Sequence, residues 1–216
     1  MSSFPASPRL IKGGIVVMNP DTSAIEKVIP LQYNPDTLTR SLQVQSVGDS
    51  SGKRSEALRL SGPPIETIKL EAEIDATDKM ENGDPQTAEN GIQPQLTVLE
   101  MLIYPKSSQL NFNSTMANMG TIEIFPMETP LTLFVWNKNR IIPVRLTEFS
   151  IAEEAFDPML NPIRAKVSLG MRVLSVDDLG FNNKGGNLYM SYQQNKERLA
   201  AQFRSGTLQD LGINSI

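Results

Sequence analysis

The stretch 131–179 constrains the fold more than any other part of the chain. It reads LTLFVWNKNRIIPVRLTEFSIAEEAFDPMLNPIRAKVSLGMRVLSVDDL. Ala165, Val167, Leu169, Met171 and Val173 alternate with Arg164, Lys166, Ser168, Gly170 and Arg172. Successive side chains of an extended chain point to opposite faces, so a period of two with one apolar set predicts a half-buried antiparallel strand. The preceding segment predicts the same pattern. There Arg145, Thr147, Phe149 and Ile151 fall on one face, and Leu146, Glu148, Ser150 and Ala152 on the other. The whole block reads as three consecutive strands joined by two polar turns, the second hairpin being unusually long. A long hairpin with a charged outer face suits a surface that meets other protein subunits.

Further strands are expected around 10–18, 29–33, 38–45 and 68–75. Gly13 and Gly14 mark a weak point or bulge in the first, and Pro30 makes the second an edge or bulged strand. In the fourth, Ile68, Leu70, Ala72 and Ile74 alternate with Lys69, Glu71, Glu73 and Asp75. One interior helix is expected over 96–104, where Leu96, Leu99 and Leu102 or Ile103 form a stripe and Pro105 stops it. The stretches 47–56, 76–95 and 106–118 read as polar loops, and 121–125 as a short strand. Asn182 to Gly186 read as a linker. Beyond it Tyr189, Tyr192, Lys196, Leu199 and Phe203 share one face of a C-terminal helix. The fold class is therefore mainly β with added α. The expected form is an antiparallel barrel or sandwich with one flanking helix and a C-terminal helical tail. The expected organisation is a β domain over 1–181 followed by linker and tail over 182–216.

Composition removes most catalytic chemistry. Among 216 residues there is no cysteine and no histidine. Thiol nucleophiles, Ser-His-Asp triads, disulfides, and zinc or haem sites built on those side chains are excluded. Carboxylate, lysine or tyrosine catalysis and an oxygen-ligated cation remain, and the expectation is a protein that is not an enzyme and needs no cofactor. A net charge of −4 argues mildly against nucleic acid and against anionic membrane surfaces. No apolar run reaches the roughly 18 residues that span a bilayer, so no membrane insertion is expected. The N-terminus lacks the apolar core of a secretory signal, so the protein is expected to be made and kept in the cytoplasm unless a larger assembly exports it.

Four constellations carry alternatives. The segment GDSSGKRS at 48–55 has the look of a phosphate loop, but its glycines are one residue too close and Arg54 stands where a magnesium-binding hydroxyl belongs. A flexible hairpin loop carrying Lys53 and Arg54 is the plainer reading. Glu153, Glu154 and Asp157 cluster at a strand end. They offer either paired-carboxylate hydrolysis or a turn-capping and subunit-contacting cluster. Arg140, Arg145, Arg164, Lys166 and Arg172 lie on or next to the hairpin that carries these acids. They build either complementary head-to-tail contacts between copies or an ordinary solvated face. Tyr189 and Tyr192 either dock the terminal helix on its own core or dock it on a neighbour.

At QYNPDTL (32–38), which includes Asn34 and Pro35, the chain resembles the contractile injection system tube proteins. The resemblance continues at PPIETIKLEAEIDAT (63–77), at Phe134-Val135-Trp136, and most specifically at TEFSIAEEAFDPMLNPIRAKVSLGMRVL (147–174), which includes Asn161. It covers most of 10–179. It implies a phage-tail-like particle with a contractile sheath around a rigid inner tube, and a tail-tube β-barrel or sandwich fold. It further implies the role of a tube-initiating baseplate adaptor. That adaptor would form a homohexameric ring joining the spike hub protein to the inner tube protein, beside other baseplate proteins. The repeated inner tube subunit of the same particle is the alternative role. In the implied ring, exposed strand edges pair between neighbours, the 141–173 hairpin lines or caps the ring, and 47–56 reaches an adjacent subunit. The protein would be found with the particle, in the cytoplasm, outside the cell or at a membrane. Relatives that carry a C-terminal LysM domain extend further than Phe203 and its few following residues, so that domain is not expected. The 106–129 region is longer and richer in methionine than the family pattern.

Overall fold

The computed structural model describes residues 11–46, 59–119 and 129–215. Seven strands form one antiparallel sheet. They are β1 (Gly14–Met18), β2 (Ile25–Pro30), β3 (Leu38–Gln43), β4 (Ile65–Asp75), β5 (Leu131–Asn137), β6 (Arg140–Glu153) and β7 (Arg164–Val173). Their order is β2-β1-β5-β6-β7-β4-β3. The meander β5-β6-β7 holds the centre, the β1-β2 hairpin flanks it on one side, and the β3-β4 pair flanks it on the other.

The alternation in β4 and β7 sets the buried face. Val167 lies opposite Ala72, Leu169 opposite Leu70 and Met171 opposite Ile68, and all six are buried. Across β6 the strict period of two breaks. Leu146 lies opposite Met171 and Glu148 opposite Gly170, so Thr147 is an extra residue in a bulge. Before the bulge Ile142, Val144 and Leu146 face the core, and after it Phe149 and Ile151 do. The expected grouping of Arg145 and Thr147 with Phe149 and Ile151 is therefore corrected. A one-residue insertion flips every later side chain to the other face.

The sheet curls. β2 and β4 are separated by four strands in the sheet order, yet the Gln32 side chain just beyond β2 bonds both backbone groups of Asp75 at the end of β4, at 2.6 and 3.0 Å. The buried concave face is covered by helices. Helix α3 (Gln93–Glu100) contributes Leu96 and Leu99, near the expected 96–104 span. Helix α6 (Lys184–Ala200) contributes Tyr189 and Tyr192.

The helix content exceeds the one flanking helix expected. The 76–95 stretch holds α1 (Thr77–Glu81) and α2 (Pro85–Asn90), the latter capped by Asp84, whose carboxylate accepts from the Thr87 N–H. The 106–118 stretch is helix α4 (Ser107–Asn118), which has no buried residue. A short α5 (Val176–Leu179) is closed by a Ser175–Asp178 capping box. The expected linker is the cap and first turn of α6. Asn183 accepts from the Gly186 N–H, and Gly185 and Gly186 are buried. A methyl group on Gly186 would collide with the Gly180 carbonyl oxygen, so the helix seats against its own approach segment. The expected strand at 121–125 and the loop at 47–56 lie outside the described residues.

Candidate functional site

The longest hairpin ends in a turn built by one aspartate. Asp157 accepts from the backbone N–H groups of Met159 and Asn161, both at 2.8 Å, and from the Asn161 side-chain amide at 2.9 Å. Those bonds, the Asn161 amide first, hold its carboxyl below the usual aspartate range. Asn161 also donates to the Glu89 carbonyl at 3.1 Å, tying the tip to α2. Ala155 and Leu160 adopt positive φ, 32° and 66°. Asp157 and Asn161 therefore shape the turn, and what the turn presents is apolar. Phe156 is 49% exposed, and Met159 and Leu160 are each 79% exposed. Sequence reasoning passed over these three. The signal was there: three large apolar side chains in the turn of an otherwise amphipathic hairpin.

The bases beside the tip are committed within the chain. Arg164 meets Asp75 at 2.8 Å and Lys166 meets Glu154 at 3.3 Å. The Asp75 carboxyl is held low, first by the Thr77 hydroxyl and also by Arg164. Among the described residues Arg145 and Glu153 form no ion pair. Arg145 lies opposite Arg172 in the ladder, and Arg172 is answered by Asp178 at 2.8 Å.

Asn34 serves the fold. Its side chain accepts from the Gly13 N–H at 2.9 Å and donates to the Ile11 carbonyl at 2.8 Å, stapling the entry of β1 to the β2–β3 connection. Pro35 is half-buried beside it. Lys53 and Arg54 lie outside the described residues. Tyr189 and Tyr192, nominated for an interface, are buried at 6% and 3% exposure under α6, so they are spent on the chain's own core.

Sequence reasoning also missed the polar clasp beneath α6. Glu66 occupies the same face of β4 as Ile68 and Leu70 and is 3% exposed. Arg40 on β3 reaches one carboxylate oxygen at 2.7 Å, and Lys196 on α6 reaches the other at 3.1 Å. The Tyr192 hydroxyl donates to the Glu66 carboxylate at 3.0 Å and accepts from Arg40 at 3.0 Å. Lys196 sits 4.0 Å from the Tyr192 ring centre. Burial by itself raises the Glu66 pKa. Lys196 and the bonds from Arg40 outweigh it and hold the carboxyl below its ordinary value. Burial, with Glu66 alongside, pushes the Tyr192 phenol well up. The signal was a charged residue in register with core positions.

Among the described residues no cluster of three or more acidic side chains gathers as a metal site, and no helix is long and apolar enough to cross a membrane. Comparison with protein-family models and with curated proteins found no match for the chain.

Proposed function

We propose that the protein is a structural subunit of a contractile injection particle, acting as an adaptor ring between the spike hub and the inner tube. The single observation that carries this reading is the unclosed sheet. A barrel that pairs its first strand with its last has no edge left to offer. Among the described residues β2 and β3 stand at the two ends of the sheet order, each paired on one side only. Unpaired edges template contact with another chain. Two different edges on one subunit give a head-to-tail contact, which closes into a ring where the rotation between neighbours divides a full turn. The edges carry apolar side chains in the open, with Ile25 and Val28 on β2 at 64% and 60% exposure and Leu42 on β3 at 51%. The exposed apolar tip at Phe156, Met159 and Leu160 offers a third contact surface. The resemblance at 32–38, 63–77 and 147–174 supplies the particle. Firing loads the tube mechanically, so each interface is expected to bury well over about 1,000 Å².

The test is mild affinity purification of the tagged protein from its native host, followed by electron microscopy and quantitative mass spectrometry. Sheathed tubes with about six copies per particle support the adaptor ring. Hundreds of copies make it the repeated tube subunit. A monomer without sheath or spike partners sinks both.

A further inference from the structure

β2 and the C-terminal half of β4 face each other across a gap. β3 covers β4 only from Ile65 to Leu70, so no described strand pairs with 71–75 on that side or with the outer edge of β2. Between them lies a cavity of about 570 Å³, flanked by the contiguous runs 27–32 and 72–74 and floored by Pro94, Val98 and Leu99 of α3.

Backbone accounting shows what the gap offers. The Leu31 N–H bonds the Gly13 carbonyl, so in the alternating antiparallel ladder residues 27, 29 and 31 turn their polar groups to β1. The Val28 N–H and C=O and the Pro30 C=O then face the gap. On the other bank, Asp75 turns both groups toward Gln32, and by the same alternation Glu73 turns its N–H and C=O into the gap. Gln32 does with a side chain what a strand residue does with its backbone. Its amide donates to the Asp75 carbonyl and its oxygen accepts from the Asp75 N–H. It occupies the first position of a strand that no described segment supplies.

The rim sets the chemistry of the occupant. Of the charged residues lining the gap three are lysines, Lys12, Lys27 and Lys79, against a single acid, Glu73. Lys12 donates to the Gln32 carbonyl at 2.8 Å, and Lys79 stands 3.2 Å from the Gln95 carboxamide. None of the three forms an ion pair among the described residues. This is a positive patch on a chain of net charge −4.

We propose that this gap is the acceptor for one extended segment of a partner subunit, inserted between β2 and β4. Its alternate apolar side chains would rest on α3, and its carboxylates would face the lysines. The main chain supplies affinity and the rim supplies selectivity, as in other strand-addition complexes. The inference rests on the assembly reading above and names the chemistry of one of its contacts.

The experiment uses the purified full chain and a fluorescein-labelled peptide of alternating valine and glutamate, with an alternating valine–lysine peptide as control, read by fluorescence anisotropy. The expected result is saturable micromolar binding of the acidic peptide, and binding of the control weaker by about tenfold or more. Val28→Pro removes an outward N–H at an exposed edge and is expected to weaken binding by about tenfold, the equivalent of one or two lost hydrogen bonds. Lys27→Glu, at an exposed side chain that folding does not use, is expected to narrow the preference for the acidic peptide. Absence of binding, equal binding of both peptides, or indifference to both substitutions overturns the proposal. Such a failure leaves the ring reading standing, since copy number in native particles is a separate measurement. Failure of the ring reading leaves peptide binding by the isolated chain intact.

Discussion

The two halves of β4 carry the same alternation and meet opposite surroundings. From Ile65 to Leu70 the strand is paired with β3 throughout and with β7 from Thr67 onward, and α6 closes its core face at Glu66. The one polar side chain buried there, Glu66, has a partner for each oxygen. From Glu71 to Asp75 the strand is paired, among the described residues, only with β7, and on the other side a single glutamine stands in for a neighbour. A buried charge is tolerated where every oxygen is answered, and backbone groups are left open only where water or another chain can reach them. The first half is built for permanence and the second for occupancy.

Substitutions can break that contrast, beginning with the closed half. Tyr192→Ala removes a buried ring and the hydroxyl linking Arg40 to Glu66. It is expected to cost about 3–5 kcal/mol and to lower the melting temperature by roughly 6–20 °C in thermal denaturation. A loss within about 1 kcal/mol would show that α6 is not held by this contact.

Glu66→Gln comes next. Removing one member of a buried ion cluster costs up to about 3–5 kcal/mol; with Arg40 and Lys196 still about a quarter to a third exposed, at 27% and 32%, about 2–3 kcal/mol is expected. The pH dependence has a definite sign. The folded carboxyl titrates below the unfolded value, so its contribution is present above the ordinary glutamate range, about pH 4.3. It is lost as pH falls through the depressed folded pKa. Denaturant titrations of the wild type and the variant should run parallel at neutral pH and converge below about pH 4. A gap that stays constant into acid would remove the charge from the account.

In the open half, Gln32→Ala leaves the Asp75 backbone groups to water. A cost of about 1–2 kcal/mol is expected, with faster amide exchange at Asp75 and little change at Ile68. Equal loosening of both halves would mean that the gap is not a separate unit. On the outer face of the closed half, Lys69 and Glu148 pair at 2.6 Å with side chains 55% and 63% exposed. Neutralising Lys69 is expected to change stability by less than about 1 kcal/mol and to have less effect still in high salt.

The sequence made β4, β7 and the charged hairpin legible because a period of two survives wherever one face is buried. It hid Thr147, since a bulge adds a residue without changing composition and the mismatch exists only against the partner strand. It hid α4 for the opposite reason. A helix with no buried residue leaves no apolar stripe to read. Helices α1 and α2 are held by Asp75, Asp84 and Pro85 at their starts rather than by a stripe. The Asp84-Pro85 pair was a readable start signal. For the candidate contacts, charge drew attention to Arg164, Lys166 and Asp157, and the structure ties each of these to its own chain. Phe156, Met159 and Leu160 were overlooked because apolar residues in a turn have no period. The gap beside β2 was not readable, because it depends on β3 stopping short of Glu71.

The strand order also governs the chain during synthesis. β1 and β4 emerge early, but each needs a partner from the meander. Gly14 waits for Val135, more than half the chain later, and Glu71 waits for Ser168. Until the ribosome has delivered 131–173, the described strands of the first half form two pairs, β1-β2 and β3-β4, whose inner edges have no strand to meet. Non-local pairings of this kind fold slowly and leave nascent segments open to misassembly. Chains released early should therefore aggregate rather than fold in part, and the point in translation at which the protein becomes soluble should coincide with completion of β7.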